Sequence, residues 1–452
     1  MAQLSNNSFQ KEKYNSLRNN YLSFSNNSEF TKRNNGFAVT LPDPEQTIVE
    51  KLSLDFEIRQ RTEYRNGYTI LPDPLNNPAL LSFQRSRIGL NYSSGKVSTC
   101  LSLQDVRTWG EVKTKSDAPS MGVYEAWMEY YLSKSLSVKL GRQTLKYDDQ
   151  RLLSNTDWNN VATSHDLALF KFEQNTTRVH LGLAYNNDKD KLYETNYPVE
   201  LYKAMQFLYL SQKFKNGIKF SLLEIIDGNQ KTASDVVIFF RNTAGLNIDY
   251  ETQNGDFLVG GSGFLQGGED KNGNKINAYL FGLKASYKVL PMLKATIGND
   301  YYSGTDGMDT LNKVNGSFNN LFSSGHGFCG SMDYFTIIDV HTKGGGLSDS
   351  YVKLLIDPGK KLSIGMDYHY FMLANNVIDV DNTLGFTALD KKLGSEIDLS
   401  LIYKVEKNFV IKMGYSIMLA TKSLSAVRGG DFNEYADWAF ISITYTPKVG
   451  LK

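Results

Sequence analysis

From residue 51 onward, apolar and polar side chains alternate one by one. Leu52, Leu54, Phe56 and Ile58 interleave with Ser53, Asp55, Glu57 and Arg59. A period of two belongs to a β-strand with one face in an apolar medium, because successive side chains point to opposite sides. The pattern recurs: Ile88, Leu90 and Tyr92 oppose Arg85, Arg87 and Asn91, and Tyr279, Phe281, Leu283 and Tyr287 oppose Gly282, Lys284 and Ser286. Later, Leu362, Ile364, Met366 and Tyr368 oppose Ser363, Gly365 and Asp367, and Ile397, Leu399 and Leu401 oppose Glu396, Asp398 and Ser400. Around Val138-Lys139-Leu140-Gly141-Arg142 the parity reads as broken, with Gly141 as a bulge. All ten prolines fall between or after these segments, as a sheet requires, since proline removes a ladder donor.

The connections carry the topology. Tight turns are expected near Ser94-Gly95, Ser133-Lys134, Asn175-Thr176, Asn216-Gly217, Asn254-Gly255, Leu290-Pro291, Asp357-Pro358-Gly359 and Glu406-Lys407. Between them lie longer polar loops at about 66–80, 109–121, 147–164, 187–202, 227–236, 268–275, 305–346, 373–392 and 421–433. Eight short turns alternating with nine long loops imply eighteen strands, with all turns at one end and all loops at the other. That is the plan of an all-β, transmembrane antiparallel barrel with short periplasmic turns and long extracellular loops. Closure removes every unpaired strand edge, and about eighteen strands enclose an aqueous lumen. Leu54 and Ile364 are expected on an outward apolar band about 25 Å tall.

Composition narrows the reading. Lys and Arg number 49 against 48 Asp and Glu, a net charge of +1, which argues against a nucleic-acid partner. Cys100 and Cys329 are the two cysteines, too few for a disulfide framework or a multi-cysteine zinc site. No window approaches the roughly 18 apolar residues of a membrane helix. Met1-Ala2-Gln3 opens into an Asn/Ser stretch without a signal-like apolar core. For a barrel this implies the bacterial outer membrane with the signal peptide removed. Residues 1–46 read as a polar extension, partly disordered or a periplasmic or plug segment, and 47–452 as the barrel with the long loop 305–346.

The candidate chemistry is ionic. Of thirteen arginines, eight lie between 59 and 151. Residues two apart on a strand share a face about 6.6–6.8 Å apart, so Arg59, Arg61 and Arg65 form one inward row and Arg85 and Arg87 another. Guanidinium forks hold carboxylate or phosphate bidentately at any working pH. The alternative is a wall network in which arginines pair with acids and stiffen the barrel. Asp55, Glu57 and Glu63 are the expected lumen acids. The five histidines lack metal-ligand spacing, and 269–274 lacks the acids of a calcium loop; no metal, cofactor or enzyme activity is expected. Loop 305–346, with its glycines and the apolar run Tyr334-Phe335-Thr336-Ile337-Ile338, is expected to enter the lumen and narrow it.

A family resemblance adds to this. Lys139-Leu140-Gly141-Arg142-Gln143, Tyr147-Asp148-Asp149, Arg151-Leu152 and Asp157-Trp158 resemble the central signature of the alginate export family. Gln104-Asp105-Val106-Arg107-Thr108-Trp109-Gly110, Glu125-Ala126-Trp127, Arg241-Asn242-Thr243-Ala244-Gly245, Met332-Asp333-Tyr334-Phe335 and Leu393-Gly394-Ser395-Glu396-Ile397-Asp398-Leu399 follow the same order. The Asn-, Lys- and Tyr-rich style is that of a Bacteroidetes-like member. The resemblance implies an eighteen-stranded outer-membrane channel for an anionic solute, an acidic polysaccharide or oligosaccharide, through an arginine-lined lumen. The expected lining set is Arg59, Arg61, Arg85, Arg87, Arg107, Arg142 and Arg241. Mixed acids among these arginines depart from a strongly cationic exporter, so a carboxylate-uptake porin and a plugged structural barrel remain as alternatives. Expected partners are an anionic saccharide or other small anion, membrane lipid and lipopolysaccharide, and a periplasmic or outer-membrane protein.

Overall fold

The computed structural model describes residues 50–111, 121–190, 192–193, 202–232, 236–311, 313–380 and 386–451; the expected extension 1–46 lies outside them. Nineteen strand segments follow one another. The first six are β1 (Lys51–Asn66), β2 (Ala79–Ser94), β3 (Val97–Thr108), β4 (Met121–Tyr131), β5 (Leu136–Gln143) and β6 (His165–Gln174). The next six are β7 (Thr177–Tyr185), β8 (Ala204–Lys213), β9 (Ile218–Asn229), β10 (Phe239–Glu251), β11 (Phe257–Glu269) and β12 (Lys275–Leu290). Then come β13 (Leu293–Tyr302), β14 (Leu347–Ile356), β15 (Leu362–Leu373), β16 (Lys392–Glu406), β17 (Phe409–Ala420), β18 (Ala436–Tyr445) and β19 (Lys448–Leu451).

From β1 to β18 each strand pairs antiparallel with its neighbours in the chain, and β1 closes the ring against β18 and β19. The upper part of β1 pairs with β18, Arg61 opposite Ser442, and its lower part with β19, Leu54 opposite Val449. Since β18 and β19 are one stave interrupted at Thr446-Pro447, the barrel has eighteen staves. The eight expected tight turns all stand at one end. The opposite connections run from five residues, 270–274, to the 44 of 303–346.

Alternation does the rest. On β1 the odd-numbered side chains from Ser53 to Glu63 are buried inward, while Ile58 and Tyr64 are exposed on the outer face. Ile364 and Leu399 lie outward as well, giving an apolar belt that suits lipid rather than water. Inside, two environments divide the lumen. Towards the turn end, charged groups such as Lys219, Lys284 and Lys353 pair with Asp148, Asp249 and Asp367. Towards the loop end, Trp438, Phe371 and Phe207 from the wall pack with Phe318, Tyr334 and Leu153 from loops in one apolar cluster.

Register shifts at four places among the described strands; those at Lys288/Leu290 and Lys404/Glu406 adjoin tight turns, and the other two lie within the wall. On β4, Ser102 faces Glu125 and Leu103 faces Val123, leaving Tyr124 as an extra residue. On β16, Phe371 faces Gly394 and Met372 faces Lys392, leaving Leu393 extra. The bulge expected at Gly141 is not one of them. Register runs unbroken through it on both sides, and Gly141 meets the local twist with a φ of +114°.

Candidate functional site: the arginine ledge

The arginine rows form as the alternation requires. Arg59 pairs across the β1–β2 ladder with Arg85, and Glu57 with Arg87, so side chains from both strands project into the barrel at one level. Lys412 on β17 joins them, because Lys412, Ser442 and Arg61 lie on one row of paired residues. A bare cluster of like charges would be costly, and three acids moderate it. Glu57 Oε1 accepts from Arg85 Nε at 2.7 Å. Glu63 lies 2.7 Å from Arg61 and 2.8 Å from Arg65. The third acid comes from a loop.

That loop is 144–164, which follows β5 and folds inward. Asp157 Oδ1 accepts from Arg85 at 2.9 Å and from Arg87 at 2.8 Å. Its backbone carbonyl accepts from Arg59 at 2.7 Å and Arg85 at 3.1 Å. Arg61 donates to Trp158 O at 2.7 Å and to Asn160 Oδ1 at 3.0 Å, and Arg59 donates to Asn159 O at 2.7 Å. Flat guanidinium faces are used too: Arg61 lies 4.4 Å from the Trp158 ring and Arg87 3.8 Å from that of Tyr124. The bulge in β4 aims Tyr124 inward at this point, as bulges beside functional sites do. Burial alone would raise the Asp157 carboxyl, but Arg85 and then Arg87 override it and hold it well below the ordinary carboxylate range.

The long loop meets the first from across the barrel. Leu153 bridges to Phe322, and the Trp158 ring stacks on His326 at 3.9 Å. The wall carboxyl of Glu396 accepts from the backbone N–H groups of Ser331 at 2.5 Å and Met332 at 2.7 Å. Gly330, at φ +83°, makes room for it: a Cβ there would fall 2.6 Å from that carboxylate. On another wall, Gln266 donates to Asn319 O at 3.0 Å. This loop therefore folds into the lumen and packs against its wall.

The individual site residues fare differently. Arg59, Arg61, Arg85 and Arg87 point inward, but with exposures of only 2–8% they lie beneath the loop rather than against open water. Asp55, Glu57 and Glu63 also point inward; Asp55 pairs with Lys448 at 2.8 Å. Arg241 is inward and holds Asp227 through two bonds, 14 residues away in sequence and outside the ledge. Two expectations need correction. Arg107 pairs across the ladder with outward Gln84 and binds Asp105 on the outer face. Arg142 shares the outer row of Val138 and Leu140 and binds Asp166 opposite it, both exposed. Each is on the outside because its strand never changes parity. The partners that sequence reading missed are Asp157, Asn159, Asn160, Tyr124 and Lys412. The first three sit about 70–100 residues from the arginines they bind, so the signals were the polar, acid-bearing character of loop 147–164 and, for Asp157, the family signature. Both cysteines are buried free thiols.

A model of the alginate export family matches residues 50–185, the span that contains both arginine rows and the inward loop, so the resemblance read from the residues is borne out there. Among solved structures, Pseudomonas aeruginosa OpdK, crystallised with vanillate, is 12% identical with a TM-score of 0.56, covering 88% of this chain and 99% of that one. Acinetobacter baumannii OccAB1 is 12% identical with a TM-score of 0.59, over 88% and 97%. Pseudomonas aeruginosa OccD3 is 13% identical with a TM-score of 0.56, over 88% and 91%. At such identities the likeness is one of fold. No curated protein matches the chain. The fold is that of a porin-type barrel of the bacterial outer membrane.

Proposed function

We propose that this chain is an outer-membrane channel for small anionic solutes, with the ledge of β1 and β2 as its selective element. The observation that carries the reading is the sign of the charge where the inward loop meets the wall. Arg59, Arg61, Arg65, Arg85, Arg87 and Lys412 gather there against Glu57, Glu63 and Asp157. Overall neutrality does not oppose this, because the groups at a constriction set selectivity. The two loops that meet beside the ledge favour a small carboxylate over a polymer, which needs one continuous wide bore. The vanillate of the OpdK structure is a solute of that kind. Acidic oligosaccharide passage is the second reading, favoured by the family match over the ledge itself.

Conductance of the purified protein in planar bilayers tests the proposal. Discrete ohmic steps in potassium chloride are expected. A folded barrel that stays silent would instead support the plugged, partner-holding barrel.

A further inference from the structure

The part of loop 144–164 that touches the ledge is a small finger with a closed base. Thr163 N donates to Asn155 O at 2.8 Å, and the hydroxyls of Thr156 and Thr163 lie 2.8 Å apart. From that base, residues 157–160 present a short run of acceptor oxygens to the wall. It consists of one carboxylate, three backbone carbonyls and one amide oxygen, and four guanidinium groups bind them. Seen from the arginines, the finger has the chemistry of a carboxylic acid surrounded by neutral oxygens. It is also not fully buried: Asn159 and Val161 at its tip are exposed. Thr156, the residue before Asp157, is held at φ +46°. A β-branched residue is strained there, so the finger leaves its base at a backbone position under local cost.

We propose that Arg59, Arg61, Arg85 and Arg87 form a carboxylate-binding site whose resident occupant is the chain's own finger, and that the carboxylate of a solute entering the barrel displaces it. The proposal rests on the channel reading above and adds a built-in competitor to it. Glu57 cannot play that part, since it is fixed on the same sheet as the arginines; Asp157 alone among the ledge acids comes from a loop, which Trp158 anchors by stacking on His326. Two guanidinium groups converge on one Asp157 oxygen, which is the arrangement a solute carboxylate would take over. The solute then gains the arginines, and the finger regains water for its carbonyls.

The test is amide hydrogen exchange on the folded full-length protein in detergent, followed in peptides covering 155–164. Sodium gluconate is the probe, with sorbitol plus sodium chloride at equal concentration as the control. Gluconate should accelerate exchange in these peptides and the control should not. In Asp157→Asn the concentration of gluconate at half effect should fall at least about tenfold, because a charge-assisted contact no longer competes. Asn160→Ala, which removes only an Arg61 acceptor, should shift it in the same direction by less. Arg87→Gln should weaken the response. No response in the wild type, or equal half-effect concentrations in wild type and Asp157→Asn, would overturn the proposal. This readout needs no ion current, so a silent barrel refutes the channel reading alone, while a conducting barrel without a gluconate response refutes this inference alone.

Discussion

Replacing Glu396 with alanine should release the long loop from the wall without unfolding the barrel. In the native protein its carboxyl accepts two backbone N–H bonds, from Ser331 and Met332. Each is worth about 1 kcal/mol if the carboxyl is neutral and about 1.5–3 kcal/mol if it is ionised. Asp398 lies on the same inward face two residues along, so removing one of two crowded acids offsets part of the loss. A net decrease of about 2–4 kcal/mol in local opening free energy follows. At about 1.4 kcal/mol per tenfold change, exchange of amides in 330–335 should accelerate about 30- to 1000-fold. Other anchors remain, including Thr69 N to Met332 O at 2.9 Å and the Tyr334 hydroxyl to Gly67 O at 2.5 Å. The strands should therefore keep wild-type exchange. An acceleration below about threefold at 330–335 would refute the claim that Glu396 anchors this loop.

Other outcomes follow from the same geometry. Aspartate at Leu54 or Ile364, both on the outer face, should lower barrel assembly by up to about 2–4 kcal/mol, checked by heat-modifiable gel mobility against Leu54→Ile and Ile364→Leu controls; full assembly would remove the lipid belt from that face. Alanine at Gly182 would place a Cβ in the ring of Phe207 opposite it. The resulting overpacking should cost about 1–3 kcal/mol in urea unfolding, and an unchanged midpoint would contradict that packing. Burial, then Arg428, lowers the His341 imidazole to about 4, below the ordinary value of 6.5. The open loop thus binds more protons than the native one. Stability of the loop is full above about pH 6.5 and is lost progressively as pH falls towards 4. Exchange across 334–343 should accelerate over that window in wild type and much less in His341→Gln; identical pH profiles would sink the assignment.

Much of the fold was legible because lipid enforces a pattern that water would blur. Leu52 to Ile58 must face hydrocarbon, so their alternation survives in sequence, and every tight turn expected from it stands between paired strands. Legibility fades where the belt ends. Asp105 and Arg107 continue the outer row of Leu101 and Leu103 beyond the apolar zone, where polarity no longer reports facing. Arg142 follows Leu140 in the same way. The Tyr124 bulge left no mark either, since it inserts one residue among positions already mixed in character. For the ledge, the arginines could be found from spacing, but their partners could not. Asp157 reaches Arg85 through a loop path that no local pattern encodes, and Glu396 meets Ser331 only because two distant segments share the lumen. Sequence reading therefore located the cationic wall and left open what covers it.

The central claim is that the ledge selects anions, and a reversal potential measured across a potassium chloride gradient tests it most directly. At an effective dielectric near 20, one charge acts on an ion about 7 Å away by about 2 kcal/mol, so two of the ledge arginines should dominate the sign. Wild-type channels should show a reversal potential on the chloride side of zero, and Arg59→Ala/Arg87→Ala channels should lose most of that offset. Cation preference in the wild type, or the same reversal potential in both proteins, would contradict the account.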